Sequence, residues 1–184
     1  MNCRSIIDKK HEFENLVCST KPDIILGTES WLKPKHFDSE IIDPDLGYSL
    51  YRRDRLEQVG GGVFIAVKDN IIAQEAPELR TNCENIWVKI NLKGCKSLLV
   101  GAYYKPKEFD KTSLEEFNKS LELASKTNCT IWVGGDLNMP KMDWSNMSPK
   151  PECKLNAFYR EFINLLQDHN LTQVVNIPTR KQMC

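Results

Sequence analysis

Six segments with the composition of β-strands run through the chain, and each ends in a turn signal. They are PDIILGTESWL (22–32), YSLYRRDR (48–55), GGGVFIAVKD (60–69), NIWVKINLKG (85–94), SLLVGAYYKP (97–106) and CTIWVGGDLN (129–138). Runs of β-branched and aromatic residues bounded by Gly, Pro, Asn or Asp are typical of strands. Short turns separate the four middle segments, which predicts antiparallel hairpins or a meander. We expect Trp132 and Val133 to anchor the last strand in the core.

Three other segments carry apolar side chains at three- and four-residue spacings. This pattern predicts amphipathic helices over residues 5–19, 112–125 and about 155–168. Ser5 is the candidate N-cap of the first helix, and Thr112 or Ser113 that of the second. The first apolar stripe consists of Ile6, Phe13, Leu16 and Val17. Helices that interleave with strands predict a single α/β domain over residues 1–184.

Composition narrows the function classes. Lys plus Arg equals Asp plus Glu at 25 each, so no strong overall field attracts the chain to nucleic acid or to an anionic membrane. Seven cysteines with no C-x-x-C pair argue against a disulfide framework and a zinc site, and indicate reduced intracellular thiols. The apolar runs are shorter than the ~20 residues of a membrane span, so we expect no membrane partner.

Polar side chains follow three of the predicted strands, at the ends of IILGTES, VGAYYKP and WVGGDLN. In α/β folds, ligands gather beyond strand ends, where loops and unpaired backbone groups meet solvent. Together these ends offer Glu29, Tyr104, Lys105, Asp136 and Asn138. Two carboxylates and an amide suit Mg²⁺, which takes few protein ligands and keeps waters for a phosphate substrate.

Simpler interpretations of these residues stay open at this point. Asp136 and Asn138 are also the residue types that stabilise a turn beside glycine through side-chain to backbone hydrogen bonds. Glu29 and Lys105 also fit solvated positions at strand ends, and Tyr104 fits the edge of a core.

Two further patterns have competing interpretations. The triple glycine at 60–62 favours a hairpin turn or bulge over a phosphate cradle, because no helix start follows it. Arg52, Arg53 and Arg55 could hold a DNA backbone together with Lys105, or could belong to a solvated hairpin.

Taken together, the motifs resemble a known family. NCRSI, PDIILGTESWL, YRRDR followed by GGGVFIAV, YYKP, WVGGDLNMP and NIPTR occur in the order seen in endonuclease domains of non-LTR retrotransposons. These domains form part of the apurinic-endonuclease-like branch of the endonuclease/exonuclease/phosphatase superfamily. The resemblance implies a two-sheet sandwich flanked by helices, in four α/β/β/α layers, with a metal-dependent phosphodiesterase site at one edge. Such domains nick target DNA to create a 3′ hydroxyl from which a reverse transcriptase primes.

The resemblance also implies roles for single residues. Glu29 corresponds to the metal-binding glutamate and Asn2 to an early active-site asparagine. Tyr104 corresponds to a phosphate-contacting tyrosine, Asp136 to the aspartate that positions or activates the attacking water, and Asn138 to its partner.

On the substrate side, the resemblance points to Lys105, Thr179 and Arg180. Lys105 stands where many relatives carry Arg, so it keeps the charge and lacks the bidentate fork. The implied cofactor is Mg²⁺, with Mn²⁺ as a substitute, and the implied substrate is the DNA phosphodiester backbone. A reverse transcriptase domain is expected in the intact element, and the place of function is the nucleus.

The chain departs from the family pattern at both ends. Relatives have a strand before the N-x-RS motif, and after the PTR segment they continue to a Ser-Asp-His motif whose histidine completes the catalytic machinery. The resemblance therefore implies a fragment truncated at both ends, with weak or no activity. His11, His36 and His169 lie outside such a motif and receive no catalytic role. The alternatives are a catalytically silent remnant or domesticated nucleic-acid or protein binding module, and a phosphatase of a phospholipid or inositol phosphate.

Overall fold

A computed structural model of the chain describes residues 1–175, which form two compact units. The first unit is Met1–Asn138, and the second begins at Met139. The helices are α1 (Lys10–Thr20), α2 (Lys111–Ser125) and α3 (Asn156–Asp168). The strands are β1 (Ile24–Thr28), β2 (Tyr48–Arg53), β3 (Val63–Lys68), β4 (Ala73–Glu75), β5 (Glu84–Ile90), β6 (Leu98–Tyr104), β7 (Thr130–Asp136), β8 (Met142–Asp143) and β9 (Ser148–Pro149). That residues 1–184 form one domain stays a prediction.

The first sheet has the strand order β1-β3-β2, and both pairings are antiparallel. Residues 1–3 run parallel to β1 on its other side, with a bridge between Asn2 and Thr28. The Thr28 N–H donates to Met1 O at 2.9 Å, and the Cys3 N–H donates to Thr28 O at 2.8 Å. This short pairing brings Asn2 to the point where β1 ends.

The second sheet has the order β4-β5-β6-β7. Strands β5 and β6 pair antiparallel, whereas β6 and β7 pair in parallel with Tyr104 opposite Asp136. The parallel pair needs a crossover, and α2 provides it between the two strands. Of the two predicted alternatives, hairpin pairing is confirmed for β2–β3 and β5–β6. The four middle strands do not form one meander, because β3 and β5 lie in different sheets.

Apolar side chains of the two sheets form one core between them. It includes Ile65 and Val67 from β3, Val88 from β5, and Val100 and Ala102 from β6, all buried. These positions alternate along their strands, as expected when one face of each strand points to the core. Burial between two sheets is the main source of stability in such a sandwich.

The outer faces of both sheets are covered by helices. Phe13 of α1 meets Phe64 of β3 edge-on, with ring centroids 6.1 Å apart. Phe117 of α2 stacks on Tyr103 of β6 at 3.9 Å. The order α1, first sheet, second sheet, α2 confirms the predicted four α/β/β/α layers.

Two helix starts differ from the sequence prediction. Ser5 has φ +71, whereas an N-cap residue lies in the β region, and its hydroxyl donates to Asp8 Oδ2 at 2.5 Å. The first helix therefore begins at Lys10, and Leu16 of the predicted stripe is 47% exposed. In α2 the cap is Asp110, whose Oδ1 accepts the Ser113 N–H at 3.0 Å.

The expected anchoring of β7 by Trp132 was wrong. Strand β7 pairs with one neighbour, β6, among the described residues, and the Trp132 side chain is 58% exposed. An edge strand has fewer neighbours to cover its side chains. The ladder to β6 therefore contributes more than this indole to holding β7.

The second unit contains α3 and the short β8–β9 hairpin. Trp144 meets Phe162 edge-on at 6.3 Å, and the Lys141 N–H donates to the Tyr159 hydroxyl at 3.1 Å. The prediction of α3 over about 155–168 is confirmed. Within residues 1–175, no helix has both the length and the hydropathy to span a membrane.

Candidate active site

Four polar side chains from separate segments meet at one end of the sandwich in the first unit. Glu29 directly follows β1, while Tyr104 and Asp136 are the last residues of β6 and β7. Asn2 lies beside Thr28 through the short parallel pairing. Parallel neighbours end at the same edge of a sheet, so this topology alone brings Tyr104 and Asp136 together.

Asn2 connects the two carboxylates. Its Nδ2 donates to Glu29 Oε1 at 3.0 Å and to Asp136 Oδ2 at 2.7 Å. Both acids therefore lie within hydrogen-bond distance of a single nitrogen atom. Glu29 and Asp136 therefore lie close together, as expected from the sequence if they share one site.

Tyr104 and Asn2 donate to the same oxygen atom of Glu29. Its hydroxyl donates to Glu29 Oε1 at 3.1 Å, and its side chain is buried. Burial, and after it the negative charge of Glu29, raises the pKa of Tyr104 well above its ordinary value. The phenol therefore keeps its proton and acts as a hydrogen-bond donor near neutral pH.

Asp136 uses its two oxygens for different purposes. Oδ1 accepts the Asn138 N–H at 3.0 Å, which is the local turn contact expected of Asp beside glycine. Oδ2 accepts from Asn2, in a distant part of the chain. Oδ1 thus makes the predicted turn contact and Oδ2 makes a long-range contact, while the catalytic role of Asp136 stays a prediction.

Asn138 stabilises the same turn from its other side. Its Nδ2 donates to Lys105 O at 2.7 Å, and its backbone has φ +46. Asn tolerates this left-handed region better than most residues. The side chain therefore connects the end of β7 to the end of β6.

The loop that carries Glu29 has an unusual backbone. Glu29 has φ +51 and Trp31 has φ +58, both in the left-handed region. The glycine loop at 60–62 stabilises this conformation, because the Ser30 N–H donates to Gly62 O at 3.3 Å and the Trp31 N–H donates to Gly61 O at 2.9 Å. Strained backbone persists where the surrounding structure over-determines it.

This contribution of the glycine loop was not predicted from the sequence. The triple glycine favoured a hairpin turn or bulge over a phosphate cradle, and the loop does connect β2 to β3. Three successive glycines before a strand were the available signal, since each has a positive φ here. What the sequence could not show is that the carbonyl groups of Gly61 and Gly62 hold the Glu29 loop.

The structure places Lys105 differently from the expected substrate contact. Its side chain is fully buried, and Nζ donates to the carbonyl groups of Lys107 and Glu108, the latter at 2.7 Å. A longer contact of 3.4 Å reaches Asn138 O. Burial lowers the pKa of Lys105 to about 8, while Asp110, Glu108 and Asp136 act in the opposite direction. This ammonium group faces main-chain oxygens and not an open site.

The three arginines of the YRRDR segment are engaged within the fold. Arg52 donates to His36 O at 2.7 Å, and Arg53 donates to Asn85 Oδ1 at 3.1 Å. Arg55 forms an ion pair with Glu84 and lies 5.8 Å from the centre of the Tyr104 ring. Neither a free basic surface nor a solvated hairpin describes them. Thr179 and Arg180, the other predicted substrate contacts, lie outside the described residues.

The groups that could hold a divalent cation at this site are two carboxylates and an amide. No group of three or more His, Cys, Asp or Glu side chains within residues 1–175 could hold a metal ion. Mg²⁺ does not need such a group, because it binds through one or two carboxylates and keeps waters or substrate oxygens. Glu29, with Asp136 nearby and the amide of Asn2 between them, therefore fits Mg²⁺ and not a closed structural site.

Comparison with known proteins finds a family model and solved structures that are similar to this chain. Residues 98–183 match a family model described as endonuclease-reverse transcriptase. No curated protein sequence matches the chain. The fold resembles the endonuclease domain of TRAS1, a telomere-specific non-LTR retrotransposon, with a TM-score of 0.63, 16% identity, and coverage of 92% of this chain and 70% of that one.

Two other solved structures are similar. The AP endonuclease LMAP from Leishmania major gives a TM-score of 0.64 at 13% identity, covering 92% of this chain and 65% of that one. The 3′ phosphatase NExo from Neisseria gives a TM-score of 0.62 at 16% identity, covering 90% of this chain and 68% of that one. The chain thus spans about two thirds of the length of these structures. Its fold is similar to that of the AP endonuclease and of the retrotransposon endonuclease domain.

Proposed function

We propose that this chain is the metal-dependent, DNA-nicking endonuclease domain of a retroelement protein. One observation carries the proposal: a single amide nitrogen of Asn2 joins Glu29 to Asp136 at the end of the sandwich. The family match over residues 98–183 and the similarity to the TRAS1 endonuclease domain support it.

In the proposed reaction, water adds to a phosphorus atom of the DNA backbone and the bond to the 3′ oxygen breaks. Asp136 orients the water and accepts its proton through the carboxylate whose other oxygen is held in the turn. The 3′ oxygen leaves with a proton taken from solvent, which produces a 3′ hydroxyl and a 5′ phosphate. Tyr104 stays protonated, and its hydroxyl, which donates to Glu29, would lie beside the phosphate.

Asn2 holds the carboxylates of Glu29 and Asp136 close together. Two carboxylates that share one site repel each other. The amide hydrogens of Asn2 offset part of this repulsion. A Mg²⁺ or Mn²⁺ ion held by Glu29 would supply positive charge for the developing charge on the phosphate and leaving oxygens.

The proposed partners follow from the same function. The proposed substrate is the phosphodiester backbone of DNA. A reverse transcriptase domain of the same element would use the 3′ hydroxyl, and the reaction would take place in the nucleus. The formal net charge is zero and the arginines of 52–55 are engaged internally, so DNA affinity would come from local contacts near the strand ends.

The first test is nicking of supercoiled plasmid with millimolar Mg²⁺. Asp136→Ala and Glu29→Ala are expected to lose about 10² to 10⁴ in rate, the range for a positioned acid/base group. The matched control is Glu115→Ala, which removes an exposed carboxylate on α2. Equal nicking by all four proteins would contradict the site.

The same proteins distinguish the alternatives. Release of inorganic phosphate from a 3′-phosphorylated oligonucleotide, without nicking, would favour a phosphatase, an activity named for the Neisseria protein of the same fold. An inositol phosphate or phospholipid headgroup serves as the non-nucleic-acid substrate in that assay. DNA binding without turnover under either metal would favour a silent binding module.

A further inference from the structure

Lys105 is the one fully buried charged residue in the described part of the chain. Burying an ammonium group is costly unless hydrogen bonds compensate for the lost water. Here three main-chain carbonyl groups, those of Lys107, Glu108 and Asn138, accept from Nζ. Such a group is retained inside a fold at a cost, so its position calls for a physical explanation.

Every polar part of Lys105 contacts the loops around the site. Its N–H donates to Asp136 O at 2.9 Å, and its carbonyl oxygen accepts Asn138 Nδ2 at 2.7 Å. Its ammonium group reaches Asn138 O and the 107–108 loop. One residue thus fixes both ends of the Asp136–Asn138 turn and connects it to the loop that follows β6.

A chain of contacts leads from this turn to the paired carboxylates. Lys105 holds Asn138, the N–H of Asn138 holds Asp136 Oδ1, and Asp136 Oδ2 then faces Asn2. A rotation of the turn would move Oδ2 away from Asn2. The orientation of the proposed catalytic carboxylate therefore depends on contacts that begin at Lys105.

We propose that Lys105 is a positioning residue that fixes the orientation of Asp136, and not a ligand of the substrate phosphate. The inference rests on the proposed nuclease function. A lysine suits the role because its ammonium is a compact charge with three donors, whereas an arginine presents a larger planar fork. The carbonyl groups of Lys107, Glu108 and Asn138 all lie within reach of this compact charge.

A positioning residue and a phosphate ligand give different kinetics. Loss of a positioning contact lowers kcat and leaves KM unchanged, because the substrate still binds. Loss of a phosphate contact weakens binding and reduces the salt slope of DNA affinity by about 1. The two roles are therefore separated by measuring kcat, KM and salt dependence on one variant.

The experiment compares Lys105→Met with Ser120→Ala in the nicking assay. Ser120 is a matched control, since its buried hydroxyl also has three partners: Asn85, Trp87 and Leu79 O. We expect both variants to lower the melting temperature. Only Lys105→Met should lower kcat, by about 10²-fold, the effect of a misplacement of ~1 Å. Lys105→Gln, which keeps a donor, should recover part of the loss and replaces the Met variant if that variant is unfolded.

A second readout does not depend on turnover. The side-chain amide NMR signals of Asn2 and Asn138 should shift in the Lys105 variants and stay in place in Ser120→Ala. If the wild-type chain does not nick DNA, the proposed function fails and these signals still test the positioning. Unchanged amide signals with wild-type kcat, or a raised KM with a smaller salt slope, would overturn the inference.

Discussion

At the scale of single residues, the site depends on side chains that perform two tasks. Asn2 donates to both acids, and Asp136 divides its oxygens between a turn and the site. Polar residues at strand ends identified Glu29, Tyr104 and Asp136 from the sequence, because strand ends are visible in the residue pattern. The role of Asn2 was predicted only from the family resemblance. The burial of Lys105 could not be predicted, since it depends on the path of the loop after β6.

Gly62→Ala tests how the Glu29 loop is held. Gly62 has φ +83, and an added Cβ would lie 2.5 Å from the hydroxyl oxygen of the buried Ser30. We expect a loss of about 2–3 kcal/mol in the free energy of unfolding and slower nicking, because the strain and the clash both reach the Glu29 loop. Urea denaturation measures the first quantity.

The control is Gly94→Ala, at a position with a similar φ of +75 and no heavy atom within 4 Å of the added Cβ. Its expected cost is about 1 kcal/mol, from the left-handed backbone alone. Equal losses in the two variants would show that the contact with Ser30 does not matter.

At the scale of elements, the same tripeptide folds into two different environments. Ile-Trp-Val occurs at 86–88 in β5 and at 131–133 in β7. Trp87 is 1% exposed, while Trp132 is 58% exposed. Composition predicts a strand in both places, and both are strands. It cannot show which strand lies inside the sheet, because that is decided by pairing with distant segments.

Replacing each tryptophan by alanine measures this difference. Trp87→Ala should lower the free energy of unfolding by about 3–5 kcal/mol, since it removes a buried ring and the hydrogen bond to Ser120. Trp132→Ala should change it by about 0.5 kcal/mol or less, as expected of an exposed side chain. Similar losses measured by chemical denaturation would mean that β7 is covered in solution.

At the scale of the whole molecule, buried thiols give the first unit a sensitivity to alkaline pH. Burial raises the pKa of Cys3 to about 11 and that of Cys83 to about 11. Above the ordinary thiol value, the unfolded chain releases these protons while the folded chain keeps them. The stabilising contribution is thus complete below pH of about 9 and is lost as the pH rises through about 11.

We therefore expect the free energy of unfolding to fall between pH 9 and 11 more steeply in the wild type than in a Cys3→Ala, Cys83→Ala double variant. Cys18→Ala, which removes an exposed thiol, should keep the wild-type slope. The titrations of Lys105 and the tyrosines are present in all three proteins and cancel in the comparison. Parallel slopes in denaturation curves across this range would contradict the burial of the two thiols.

The length of chain between Asn2 and Asp136 has a consequence during synthesis. The two residues that bond at the site are 134 positions apart. At ~5–20 residues per second, a ribosome needs on the order of ten seconds to add that much chain. Until then the amide of Asn2 has no second acid to meet, so a nascent chain cannot assemble the pair. The contact between Asn2 and Asp136 can therefore form only late in synthesis, once β7 has been made and can pair with β6.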